Sequence, residues 1–273
     1  MILLIFIFGL IFGSFINALV WRLHKQDAAK TKKAKQKYSL TKERSQCVNC
    51  HHQLGAADLV PVLSWVALVG KCRYCKKPIS AQYPTVELFT AFLFGLSYWF
   101  WPYSFNLLGY MAFFVWLYCL ILLITLFVYD LKWFILPNNL VFNLTIGAVI
   151  LTVLVAIIKL DFYFMLQASL ASLILFGIFY IIFQVSGGKW IGGGDVKIAV
   201  SLGLFAATPA KAFLLIFLSS VIGTLLAIPL LLGNKLNLKS YVPFGPLLII
   251  ATVLIVLFGN QMISWYLQTF LYI

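Results

Sequence analysis

The chain has 273 residues, 63% of them hydrophobic and only 10% charged, and its mean hydropathy is +1.02. A soluble domain carries roughly 25% charged residues, so the composition excludes a water-soluble globular enzyme and points to the lipid bilayer. The net charge of +13 is concentrated: thirteen of the twenty Lys and Arg residues lie between Arg22 and Ser80, against three acids.

Apolar runs near 1–21, 85–101, 107–128, 140–158, 163–185, 196–207, 212–232 and 245–270 each read as a membrane-helix candidate, since about 20 residues cross the hydrocarbon core. The expectation is therefore an all-α polytopic membrane protein of about eight transmembrane helices. The sixth run is short and spans only if its helix starts near the preceding glycines or continues past Pro209. The first run has no positive charge before it and no small-residue cleavage site; its charges, Arg22 and Lys25, follow it. It reads as a retained helix with its N-terminus outside.

The positive-inside rule places the basic 22–84 segment in the cytosol. Alternation across eight spans then puts Lys132, Lys189, Lys197, Lys235 and Lys239 on the same side, leaving Lys159 and Lys211 outside. The lysine-rich stretch 25–46 lacks the interleaved aromatics of a nucleic-acid surface, so no nucleic-acid partner is expected. Anionic lipid headgroups suffice to attract it.

The same segment carries four of the five cysteines, as CVNC (Cys47, Cys50) and CRYC (Cys72, Cys75). Two such pairs give four thiolates to one tetrahedral zinc, a closed and hence structural site; a reducing cytosol disfavours disulfides. The competing reading is a redox dithiol. Lys71, Arg73, Lys76 and Lys77 would offset the thiolate charge. His51 and His52 adjoin the first pair, as alternative ligands or plain surface residues. Cys119, alone in an apolar run, reads as a packing residue.

Outside this segment the acids are Glu87, Asp130, Asp161 and Asp195. Asp161, beside Lys159 between two spans, reads as a solvated loop residue. Glu87 opens the second span, where a helix N-terminus favours an acid. Asp130 ends the third span and Asp195 begins the sixth, at the same membrane depth. Two carboxylates sharing a partly desolvated site hold one proton between them, and the ionised one acts as a base on water. The alternative is a pair of anchoring salt bridges, Asp130 with Lys132 and Asp195 with Lys197. Gly192, Gly193 and Gly194 favour the site: irregular backbone at membrane depth is tolerated where it lines water or protein, and intramembrane acids mark function.

These residues resemble a known family, the bacterial type 4 prepilin leader peptidases. Gly13, Ser14, Phe15, Asn17 and Arg22 look like its opening helix. The stretch from CVNC through SWVALVGKCRYCKKPISAQYPTVEL resembles its zinc-binding loop, and Asp130 with Leu136-Pro137 its first aspartate motif. GGGDVK is similar to its G-x-G-D-x-K motif through Gly192, Gly194, Asp195 and Lys197; VPFGP (242–246) resembles a late Pro-Phe-Gly-Pro segment. The chain departs from the family in CVNC, which lacks a proline, in Leu23-His24, in Asn138, and in the longer basic stretch.

The resemblance implies an inner-membrane aspartic peptidase using Asp130 and Asp195. Its substrates would be prepilins and type II secretion pseudopilins, cut after the basic leader at the cytosolic face. It also implies N-methylation of the new N-terminus with S-adenosylmethionine, associated in the loop with Gly70 and Lys71. Three regions follow: a first helix at 1–21, the zinc-binding loop at 22–84 and the peptidase bundle at 85–273. Glu87 and the substrate's apolar stem are expected to contribute to recognition. Rival readings are a peptidase without methyl transfer, a proton-coupled transporter, and a tethered zinc module without catalysis.

Overall fold

A computed structural model describes residues 1–29, 31, 38, 44–232 and 243–271. Most of the 25–46 stretch, together with Lys235, Lys239 and Val242, lies outside the described residues. Among the described residues there are nine helices: α1 (Ile2–Ala28), a short α2 (Leu63–Ala67), α3 (Gln82–Trp99), α4 (Leu107–Trp133), α5 (Asn138–Lys159), α6 (Tyr163–Ser186), α7 (Gly193–Ala206), α8 (Pro209–Leu232) and α9 (Gly245–Tyr266). Their eight long members correspond to the eight apolar runs. Six, α1, α4, α5, α6, α8 and α9, are long and apolar enough to cross a membrane.

The chain divides into two compact units, Met1–Trp99 and Phe100–Ile273. In the first, α1 packs along α3 at small residues. A Cβ placed on Gly9 would lie 2.5 Å from Ala91 Cα, and one on Gly13 would lie 2.5 Å from Glu87 Cα. Small residues permit this approach between membrane helices. The Asn17 amide donates to the carbonyls of Gly13 (3.3 Å) and Tyr83 (3.1 Å), so Gly13 and Asn17 of the opening motif serve helix pairing. The helix continues past Arg22 to Ala28, further than the apolar run, because nothing in RLHKQDA breaks it.

In the second unit α7 is the most enclosed element relative to its length. It contacts α5, α6, α8 and α9, and nine of its fourteen residues are buried. Gly203 sits directly against the backbone of Ala171 and Ser172. Ser172 Oγ donates to Val200 O (2.8 Å), and Thr145 and Ser201 share a 2.7 Å hydroxyl contact. The sixth apolar run is thus a core helix of about 21 Å and not a full span. It begins at the glycines, as one of the two options required, but Ala207 turns left-handed (φ 65°) and ends it before Pro209.

Candidate active site and metal centre

Asp130 lies in the last turn of α4. Phe134 adopts a left-handed cap there and donates its N–H to Asp130 O (2.9 Å). Asp195 is the third residue of α7, in its first turn. Both side chains are buried, at 6% and 9% exposure.

The two carboxylates converge on the first residue of α9. A Cβ placed on Gly245 would lie 2.5 Å from Asp130 Oδ2 and 3.4 Å from Asp195 Oδ1. Measured from one point, those oxygens can be no further apart than the two distances together.

The salt-bridge alternative does not occur. Neither Asp130–Lys132 nor Asp195–Lys197 is an ion pair. Lys132 instead lies over the Trp133 ring, 5.5 Å from its centroid, and Lys197 Nζ donates to Asn138 Oδ1 (2.9 Å). Gly194 nestles against Leu136, where a Cβ would come within 3.2 Å of the side chain. The Leu136–Asn138 segment beyond Asp130 is therefore fitted to the segment that carries Asp195.

In the first unit the four predicted cysteines form one cluster, their sulfurs all within 4.8 Å of one another. Cys47 and Cys75 Sγ are 3.9 Å apart; a tetrahedral zinc with bonds near 2.3 Å requires about 3.8 Å between sulfurs. The two pairs adopt the same local structure. Cys47 N–H donates to His52 O and His51 N–H to Cys47 O; likewise Cys72 N–H donates to Lys77 O and Lys76 N–H to Cys72 O. Bridges Gln46–Gln53 and Lys71–Pro78 close the two knuckles. Burial opposes ionisation of Cys47, but hydrogen bonds from the backbone of Cys50 and Asn49 and from the Cys50 and Cys72 side chains outweigh it and bring its pKa to about 7. The donor set suits a soft divalent ion.

Two family models divide the chain. Residues 7–101 match the bacterial peptidase A24 N-terminal domain, and residues 117–228 match the type IV leader peptidase family. Among curated relatives, a prepilin leader peptidase/N-methyltransferase of Aeromonas hydrophila is 31% identical over 98% of this chain and 94% of its own length. The protein of that name from Bacillus subtilis is 31% identical over 98% of both chains. The chain belongs to the type IV leader peptidase family. One from Stutzerimonas stutzeri is 31% identical, covering 96% of this chain and 92% of its own. No solved structure matches the chain.

For a member of this family, several other predicted residues have informative placements. His51 and His52 lie outside the cysteine cluster; His52 packs on Tyr74 with ring centroids 3.6 Å apart. Asp161 caps the start of α6 through the Tyr163 N–H (2.9 Å). Cys119 is fully buried against Gly147. Glu87 is buried, and its Oε2 accepts the Val62 N–H (2.7 Å). That carboxylate ties α3 to the α2 segment, while the Glu87 backbone packs on Gly13 of α1.

Gly70 has φ +65°, and a Cβ there would lie 2.9 Å from the Trp65 ring. Its carbonyl accepts from Ile79 N–H, and Trp65 Nε1 donates to Ile79 O, leaving Lys71 exposed at the entrance to the second knuckle.

The sequence reading missed two features. Gly245 belongs to a recognised segment, but nothing in it signals contact with both aspartates; its place between Phe244 and Pro246 is the only hint. His51 (φ 57°) and Lys76 (φ 60°) both stand one residue after a C-x-x-C pair in left-handed backbone, a conformation that costs a side-chain-bearing residue about 1–2 kcal/mol. Lys76→Gly should therefore stabilise its knuckle by about 1 kcal/mol, read as tighter metal retention in competition with a chelator.

Proposed function

We propose that Asp130 and Asp195 are the catalytic pair of a peptidase that removes the basic leader of prepilins and pseudopilins. The observation that carries this is the convergence of both buried carboxylates on Gly245. The ionised carboxylate takes a proton from water, whose oxygen attacks the scissile carbonyl carbon. The protonated one donates to the carbonyl oxygen as it becomes negative. Collapse of the tetrahedral intermediate breaks the C–N bond, and the departing amine takes up a proton. The first turn of α7 holds Asp195 for this, and Gly245 leaves the room that any side chain would fill.

We further propose that Cys47, Cys50, Cys72 and Cys75 hold a structural zinc. With all four positions taken by thiolates, the ion cross-links the two knuckles and leaves no open coordination site. The new N-terminus is then methylated, S-adenosylmethionine supplying the methyl group when bound. Gly70 and Lys71 are assigned to that step. The charge asymmetry supports an inner-membrane protein with its N-terminus outside and both the metal loop and the aspartates at the cytosolic side. A proton relay would account for the acids but leave the cysteine knuckles unused.

Detergent-purified protein incubated with a prepilin and S-adenosylmethionine tests both halves by mass spectrometry. The expected product has lost its leader and gained one methyl. Cleavage without the methyl would leave only the peptidase. Lys71→Ala should cleave normally while methylation falls; equal loss of both would refute its assignment. Cys72→Ser should lower bound zinc measured by elemental analysis, and unchanged stoichiometry would remove the zinc assignment.

A further inference from the structure

The polar segment between α1 and α3 carries an apolar ridge that neither peptide cleavage nor metal binding uses. Leu63 (68% exposed), Val66 (60%) and Val69 (78%) project from α2 and the turn after it, preceded by Leu59 and Val60, each about two-fifths exposed. Residues three apart share a helix face, so Leu63 and Val66 point the same way. Trp65 faces inward, with its ring against Gly70 and its N–H on Ile79 O. The segment therefore has a built inner side and an apolar outer one.

The depth of this ridge follows from its tether. Val62, immediately before α2, is held by the Glu87 side chain, and the Glu87 backbone packs on Gly13 of α1. Gly13 lies within the apolar run of a helix long enough to cross a membrane. The first cation after that run, Arg22, is nine residues further on, about 14 Å along the helix. The start of the ridge is thus pinned beside the hydrocarbon-spanning part of α1, well inward of its first charge.

The backbone is prepared for such a place. Buried from water, every N–H needs a partner. Val62 donates to Glu87, Leu63 to Pro61 O, Ser64 to Val60 O, Val66 to Val62 O and Gly70 to Trp65 O. Val62 takes φ 61° to make this possible, a costly conformation for a β-branched residue. Exposed Lys71, Lys76 and Lys77 follow the ridge, as suits anionic headgroups beside an inserted apolar face.

We propose that residues 59–69 form an interfacial anchor, with Leu63, Val66 and Val69 set among the lipid chains at the bilayer boundary. The anchor fixes the adjoining cysteine knuckles at the membrane surface. The Gly13–Glu87 packing and the Glu87–Val62 bond set the ridge at the depth of the lipid chains.

Hydroxyl-radical footprinting of the unmodified protein in nanodiscs of phosphatidylethanolamine and phosphatidylglycerol tests this within one residue type. Val66 and Val69 are more exposed on the protein than Val48 of the first knuckle, which is 46% exposed. In water they should oxidise faster than Val48; in the bilayer boundary they should oxidise severalfold more slowly. Rates equal to or above that of Val48 would overturn the proposal. Replacing Val69 with the photo-crosslinker benzoylphenylalanine identifies the cover. An adduct on a phospholipid acyl chain is expected, and an adduct on a second copy or on an added prepilin would overturn it.

Discussion

Gly245→Ala is expected to abolish leader cleavage while leaving the bundle folded. The added methyl carbon would sit 2.5 Å from Asp130 Oδ2 and 3.4 Å from Asp195 Oδ1. The nearer distance is well inside van der Waals contact, so at least one carboxylate must swing away. A misplacement of about 1 Å at a reacting group costs on the order of a hundredfold in rate, and here the displaced group belongs to the reacting pair itself. Alanine at the first turn of a helix is otherwise well tolerated. Gly177→Ala provides the control, since a Cβ there meets nothing within 4 Å, and it should cleave at the wild-type rate. Initial rates on a prepilin separate the two. Normal cleavage by Gly245→Ala would show that the carboxylates need not keep this geometry.

Asp130→Asn and Asp195→Asn should each reduce cleavage by roughly 10²–10⁴-fold, the usual share of positioned acid–base groups. In the proposed proton-sharing pair, the double variant should be little worse than either single one. Each amide is close in size to the acid it replaces, so packing around the pair is preserved. Methylation of a pre-cleaved pilin should therefore persist in both. That second readout distinguishes lost chemistry from lost folding: if methylation fell together with cleavage, the variants would be misfolded. Full cleavage by either one would remove the assignment of the pair.

Much of this arrangement was legible in the sequence because it rests on rare residues. Four cysteines in a short polar segment and two acids at the ends of apolar runs stand out against a background that is 63% hydrophobic. What stayed hidden depends on contacts between distant parts of the chain. The role of Gly245 exists only because α9 starts where α4 ends and α7 begins. Glu87 reads as an ordinary helix-opening acid until the Val62 N–H is found on it. Lys197 sits next to an aspartate along the motif, yet its hydrogen bond goes to Asn138 across the helix packing. Length alone gave a warning about the sixth run, but only its buried surroundings show why a fourteen-residue helix suffices there.

That short helix also bears on how the protein is made. Helices of full spanning length can enter the bilayer one at a time and associate afterwards, each satisfying its own backbone. At fourteen residues, with Asp195 in its first turn, α7 is a poor candidate for independent insertion. It is at home only among α5, α6, α8 and α9, and α8 and α9 are synthesised after it. The helix that opens at Gly245, against both carboxylates, is therefore made after the segment that carries Asp195.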